Sequence, residues 1–385
     1  MFEDITRVSQ MAKTAVAKDP SVINATVGVL LEDNGDILFS NVFDSIIPTL
    51  TPKEKYPYED VLGPAQLKNN VLKFLKQEKF LEKPNMTVIT AGGTGALSNA
   101  ISVFSNNAGL VVSELCWNNY FTIAKDFKVD IYAYNTFNDD KYDLRAFEET
   151  LDKTILEKEN VIVLLNTPSH NPTGYDLSNE ELESIVKIIN NKVTANKKIT
   201  VIVDIAYYNF GLNQNLDPFL DLNEDVNLAI AYSFSKSFGI YGFRLGSLTM
   251  ISKDNETLEK LLYSHTRGKW SNPNKLGCTI LGKVLSNDDL CAKVYDEIDE
   301  HMKVLTNKTT IFRNALNEFN IKSFPHINGF FLSIPVENPE NVALTLSQNG
   351  VYLTTVEGGI RVAISGVPSY RLRELAEKIA LVVNK

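Results

Sequence analysis

The chain has 385 residues, of which 44% are hydrophobic and 22% charged, with a formal net charge of -9. That length exceeds what a single core usually fills, so two domains are expected, and the composition is that of an ordinary soluble globular protein. The acidic balance argues against nucleic-acid binding, which needs a basic footprint, and leaves room for a locally basic pocket.

Residues 1–20 carry charged and polar side chains at every turn and lack the apolar stretch of a signal peptide; no uncharged run reaches the length of a membrane span. Further along, short runs rich in valine and isoleucine predict buried strands at 86–90, 129–134, 161–166, 200–205, 228–233 and 246–251. Between them, 94–104 places Leu97, Ala100, Ile101 and Phe104 at helical spacing. Residues 178–190 do the same with Leu182, Ile185, Val186 and Ile189, behind Ser178 as N-cap. Strands alternating with helices predict an α/β fold with a mainly parallel sheet, whose ligands bind outside the carboxyl ends of the strands. Beyond Asp288 the pattern changes to a long charged helix at 289–319, strands at 330–334, 351–355 and 360–365, and a last helix at 370–383. This predicts a smaller α+β domain. The three cysteines, Cys116, Cys278 and Cys291, have no CxxC spacing. They suggest neither a disulfide framework nor a metal site, and fit reduced thiols in the cytoplasm.

Four motifs stand at predicted strand ends. Thr90-Ala91-Gly92-Gly93-Thr94-Gly95 opens a helix, where glycines admit a close ligand and free N–H groups favour an anion. It reads as a phosphate cradle or as a glycine-rich turn. Asn166-Thr167-Pro168-Ser169-His170-Asn171-Pro172-Thr173-Gly174 is a loop stiffened by two prolines. Asp204 ends a strongly apolar strand, with Tyr207 close behind. A carboxylate there needs a partner, and a protonated ring nitrogen is one; an N-cap beside a core tyrosine is the other reading. Ser233-Phe234-Ser235-Lys236 is followed by Arg244. A desolvated lysine near a cation becomes a nucleophile toward carbonyls and forms a Schiff base, whereas a solvated one is inert surface. Arg244 and Ser233 are suited to a phosphate.

As a set, these motifs resemble the fold-type I pyridoxal-phosphate aminotransferases of class I and II, nearest the aspartate and aromatic amino-acid branch. The resemblance runs from about Ile23 to the C-terminus and keeps the family's order and spacing. It implies a large domain with a seven-stranded, mainly parallel sheet over residues 41–288, a small α+β domain over 289–385, and an N-terminal segment, 1–40, that joins the small domain. It implies pyridoxal 5'-phosphate as cofactor, bound covalently by Lys236, which then moves the proton at the substrate α-carbon. Asp204 would keep the ring nitrogen protonated, and Tyr207 and Asn171 would bond the ring oxygen. Gly93, Thr94, Ser233 and Arg244 would hold the phosphate, with Gly92 and Ser235 among the cofactor contacts. Trp117 would stack on the ring, and Tyr58 would reach the phosphate of a neighbouring subunit in a homodimer with shared sites. For the substrate, Arg361 would take the α-carboxylate and Arg267, from the other subunit, a distal carboxylate. Gly28, Trp117 and Asn171 would line the same place.

The chain departs from that branch in three places. Gly92 stands where a serine is usual, Gly242-Phe243-Arg244 replaces Asn-Glu-Arg, and the segment after Val29 lacks Ala-Tyr-Arg. Strict aspartate specificity is therefore not implied. The expected activity is ping-pong transamination between an L-amino acid, aspartate or aromatic, and a 2-oxo acid such as 2-oxoglutarate. A C–S β-lyase or decarboxylase on the same fold is the alternative. A cofactor-bound transcriptional sensor is disfavoured, because the 22 residues before Ile23 are too few for a DNA-binding domain.

Overall fold

Side chains alternate across a strand, so a run that is apolar at every position must be covered on both faces. The middle strands obey this. In the computed structural model, which describes residues 5–194 and 196–384, Val161, Val163 and Leu165 enter one hydrophobic core while Ile162 and Leu164 enter another.

In chain order the principal elements begin with helix α1 (Ile5–Lys18), β1 (Ile23–Asn24), β2 (Asn85–Ala91), α2 (Gly92–Val103), β3 (Ala108–Ser113) and α3 (Asn119–Asp126). There follow β4 (Asp130–Tyr134), α4 (Leu144–Glu157), β5 (Asn160–Asn166), α5 (Asn179–Asn191), β6 (Lys198–Asp204), β7 (Asn227–Ser233) and β8 (Leu245–Ile251). Strands β2 to β8 form one seven-stranded sheet in the order β2-β8-β7-β6-β5-β3-β4. Only β8 runs antiparallel to its neighbours. This is the expected mainly parallel α/β sheet flanked by helices.

The remainder comprises α6 (Asn255–Lys269), α7 (Lys275–Leu285), α8 (Asp288–Glu318), β9 (Leu332–Pro335), α9 (Pro339–Gln348), β10 (Val351–Tyr352), β11 (Thr354–Val356), β12 (Gly359–Val362) and α10 (Leu372–Val383). Helix α8 has 31 residues, so it spans roughly 46 Å. Asn287 starts it, its Oδ1 accepting from the Leu290 amide. Strands β9, β12 and β11 form a small antiparallel sheet. Its core joins Leu332, Ile334, Ile360 and Val362 to Phe312 and Leu316 of α8, and also takes in Ile23 and Ala25. Strand β1 reaches this region by pairing in parallel with β10, Ile23 opposite Val351.

Several elements differ from the sequence expectation; the strand expected at 330–334, for one, begins only at Leu332. Strand β3 went unforeseen because its Ala-Gly-Leu start dilutes a β-branched signal that begins only at Val111. The single strand expected at 351–355 is two, β10 and β11, which break at Leu353 and join different sheets. The strand expected to run to Ser365 ends at Val362 and passes into a 3-10 turn at Ile364–Gly366. The N-cap at Ser178 is present as a full capping box: its Oγ accepts from the Glu181 amide, and the Glu181 carboxylate accepts from the Ser178 amide.

One interior contact fixes the segment that follows β1. Lys308 of α8 is completely buried, and its Nζ donates to the carbonyls of Leu31, Ser365 and Val367 at 2.7, 3.2 and 2.9 Å. Three acceptors match the three donors of an ammonium. They hold residues 26–31 against the C-terminal part of the chain.

Candidate active site

The carboxyl ends of β5, β6 and β7 lie side by side, with Asn166 opposite Asp204 in register. Above them opens a cavity of about 340 Å³. Its wall combines these strand ends, the start of α2, the 26–29 segment, and Arg361 from β12.

Lys236 sits on the short helix Phe234–Ser237 that follows β7. Its Nζ donates to the Gly28 carbonyl at 2.6 Å and lies 5.3 Å from the Tyr207 ring and 4.8 Å from the Tyr241 ring. Burial, with added repulsion from Arg244 and Arg361, lowers its pKa to about 7. The amine is therefore largely uncharged just above neutrality, as a nucleophile or base requires.

Asp204 is buried, and burial raises its pKa to about 6 against two stabilising donors. The Tyr120 hydroxyl donates to Oδ2 at 2.5 Å, and the Ala206 amide donates to Oδ1 at 3.0 Å. The second contact is the local turn bond of the N-cap reading; the first is not local at all.

Arg361 is 5% exposed. Its Nη1 donates to Asn171 Oδ1 at 3.1 Å and its Nη2 to the Thr26 carbonyl at 3.0 Å. Its guanidinium lies 4.3 Å from the Phe331 ring. Burial lowers its pKa to about 10, so it remains a cation at neutral pH. Among the described residues no carboxylate pairs with it, and its Nε has no partner. Asn171 is itself placed by its amide, which donates to Asn166 Oδ1 at 2.8 Å.

Gly93, Thr94, Ser233, Ser235 and Arg244 also line the cavity, with Gly93 at the N-terminus of α2 and packed on Ser233. Ser235 Oγ is buried with no partner. Gly92 has φ +71°, and a Cβ there would lie 2.6 Å from Arg244 Nη2. The glycine replacing the branch's serine is thus favoured first by its left-handed φ, and any side chain there would also displace the tip of Arg244. Gly92→Ala is expected to destabilise the fold by about 1–3 kcal/mol and to weaken binding of phosphorylated ligands. Melting curves and ligand titration check this; a variant unchanged in both would show the contact to be idle.

Trp117 lines the wall, edge-on to Tyr120 with ring centroids 5.5 Å apart. Gly28 is pressed on Phe331, where a Cβ would fall 2.3 Å from Cζ. Two expected residues lie elsewhere. Tyr58 is 92% exposed, and Arg267 on α6 bonds Ser271 and Asn272; neither lines the cavity. Sequence reasoning missed Tyr120, Tyr241 and Phe331, which do line it. Tyr241 Oη accepts from the Leu30 amide at 3.0 Å and so braces the segment that carries Gly28.

Such a cavity accepts a flat anionic ligand beside a nucleophilic amine, with a second cation for another anionic group. That arrangement defines an enzyme working through Schiff-base chemistry. The sequence profile described as aminotransferase class I and II matches residues 20–379. An aspartate aminotransferase of Salmonella typhi is 28% identical, with all of both chains covered. An aromatic-amino-acid aminotransferase of Escherichia coli is 25% identical over 77% of this chain and 76% of its own. The crystal structure of an aminotransferase from Anaerococcus prevotii superposes with a TM-score of 0.93 at 27% identity, covering 100% of this chain and 97% of that one. The chain belongs to the class I and II aminotransferases, which depend on pyridoxal phosphate. It is a transaminase, and its relatives give no support to the lyase alternative.

Proposed function

We propose that the chain is a homodimeric aminotransferase that moves the amino group of an L-amino acid, aspartate or aromatic, to a 2-oxo acid such as 2-oxoglutarate. The observation that carries this reading is Arg361: a buried cation with no carboxylate partner among the described residues, in the same cavity as a lysine of lowered basicity and a buried carboxylate. An α-carboxylate supplies the missing charge, and the guanidinium fork suits it. The names of the relatives support the choice of donors.

The cavity fits pyridoxal phosphate. The unpartnered Ser235 hydroxyl, the Gly92-Gly93 turn, Thr94, Ser233 and Arg244 suit its phosphate. Asp204 would hold the ring nitrogen, Trp117 would stack on the ring, and Tyr207 and Asn171 would bond the ring oxygen. When bound, the cofactor supplies an electron sink for the substrate α-carbon. Lys236 anchors it and afterwards holds and returns the α-proton as a base. Asp204, as a carboxylate, keeps the ring nitrogen protonated. Arg361 orients the substrate so that the α-hydrogen faces Lys236.

Tyr58 and Arg267, outside their own cavity, serve the partner subunit's cavity in this reading. The separate core around β9, β11 and β12 supports the division into residues 41–288 and 289–385, with 1–40 joining the latter. Among the described residues no helix is long and apolar enough to cross a membrane, and the three cysteines are free. The free thiols support a cytoplasmic location.

The test is a panel of aspartate, tyrosine and phenylalanine against 2-oxoglutarate. Parallel double-reciprocal lines are expected; ammonia or carbon dioxide released without an acceptor would overturn the reading. In the same assay Arg267→Ala is expected to raise KM for aspartate and 2-oxoglutarate about 10- to 100-fold and to leave phenylalanine unaffected. Unchanged dicarboxylate kinetics would remove Arg267 from the substrate site.

A further inference from the structure

We propose that Tyr120 is a positioning residue that holds Asp204 ionised and aimed into the cavity, so that a buried phenol sets the strength of the acid–base pair beneath the cofactor ring. The proposal rests on the role given to Asp204 above.

The geometry is specific. Tyr120 is in the first turn of α3, 84 positions from Asp204 in sequence. It is fixed by its own amide, which donates to the Trp117 carbonyl at 2.9 Å, and by the edge-on Trp117 ring. Tyr120 is buried, and among the described residues its hydroxyl donates to Asp204 Oδ2 alone, at 2.5 Å. Burial first, and then the neighbouring carboxylate, push the phenol well above its ordinary pKa. The proton therefore stays on Tyr120, and Tyr120 is always the donor.

A buried carboxylate without donors prefers to be neutral. Asp204 has two donors and room for about four, which leaves lone pairs free toward the cavity. The other titratable groups near this pair are Cys116 and Tyr207, both held neutral by burial. Arg244 and Arg361 are the cations of the cavity wall, and Lys236, its pKa lowered to about 7, is the third basic group there. Among the described residues Tyr120 is thus the one side-chain donor on this carboxylate. A hydrogen bond to a charged group matters here because Asp204 already titrates within about a unit of neutrality. Loss of the hydroxyl carries it across pH 7, into the form that cannot keep a ring nitrogen protonated.

Tyr120→Phe removes the donor and keeps the ring. In apoprotein carrying 13C-carboxyl aspartate, with the Asp204 signal assigned through Asp204→Asn, the Asp204 midpoint is expected to rise by about one to two pH units. In the loaded enzyme the same change is expected to lower the half-reaction rate about tenfold or more at neutral pH. Added to Asp204→Asn it should change that rate less than about twofold, because the two act as one unit. Should Tyr120→Phe not fold, 3-fluorotyrosine at position 120 is a stronger donor and is expected to move the Asp204 midpoint down. Superimposable Asp204 titrations in the wild type and the variant, or full additivity with Asp204→Asn, would overturn the proposal. A shifted titration in a chain whose wild type fails to transaminate would instead overturn the functional reading and leave the Tyr120–Asp204 pair intact.

Discussion

Replacing Lys236 with alanine is expected to lower kcat by at least about a thousandfold and to abolish covalent retention of pyridoxal phosphate. In the wild type, borohydride should fix the cofactor to the Lys236 peptide; in Lys236→Ala it should fix none. The magnitude follows from two roles resting on one amine, anchoring and proton transfer, so that no second residue supplies either. The environment also gives a pH dependence. The pKa of Lys236 is lowered to about 7, first by burial and then by Arg244 and Arg361. Only the uncharged amine attacks a carbonyl. Below pH 7 capture of the cofactor by apoprotein should therefore rise about tenfold per pH unit, and above pH 7 it should level off. A capture rate still climbing at pH 9 would mean that the amine keeps its ordinary basicity. Fixation that persists unchanged in Lys236→Ala would place the anchor elsewhere.

Arg361→Ala carries the second large effect. KM for every amino donor is expected to rise by about 30-fold or more, the usual consequence of breaking a buried charge pair, whether the donor is aspartate or phenylalanine. The spectrum of the bound cofactor should change little, because the groups suited to its phosphate (Gly93, Thr94, Ser233, Ser235 and Arg244) remain in place. Arg361→Lys should recover little of the loss. The guanidinium already spends Nη1 on Asn171 and Nη2 on Thr26 while lying over Phe331. An ammonium cannot keep those contacts and also grip a carboxylate. Steady-state kinetics with both donors decide the matter; unaltered KM values would take Arg361 out of substrate recognition.

The strands were legible in the sequence wherever burial on both faces made the run continuously apolar, as at β5 and β6. Their ends carried the chemistry, so Asn171, Asp204, Ser233 and Lys236 were legible as well, and one cavity holds them all. Tyr120 was not. An aromatic at a helix start ordinarily means core, and nothing local announces an acceptor 84 positions away. Tyr241 and Phe331 were hidden for the same reason: each acts on the 26–31 segment, through Leu30 and Gly28, across distances in sequence that periodicity cannot register. The break at Leu353 lay equally beyond it. A five-residue run of strand-forming side chains looks the same whether one sheet or two receive it, and only the pairing of β1 with β10 separates them.

That pairing has a temporal side. Thr26 and Arg361, joined by one hydrogen bond, are 335 positions apart. At about 5–20 residues per second on the ribosome, the first waits roughly 20 to 70 s for the second. By its end the ribosome has added the seven strands and Lys236; until residues 351–352 follow, β1 has no strand to pair with, and until 365 and 367 follow, Lys308 lacks two of its three acceptors. Strand β1 is therefore made long before the strand and carbonyls that seat it.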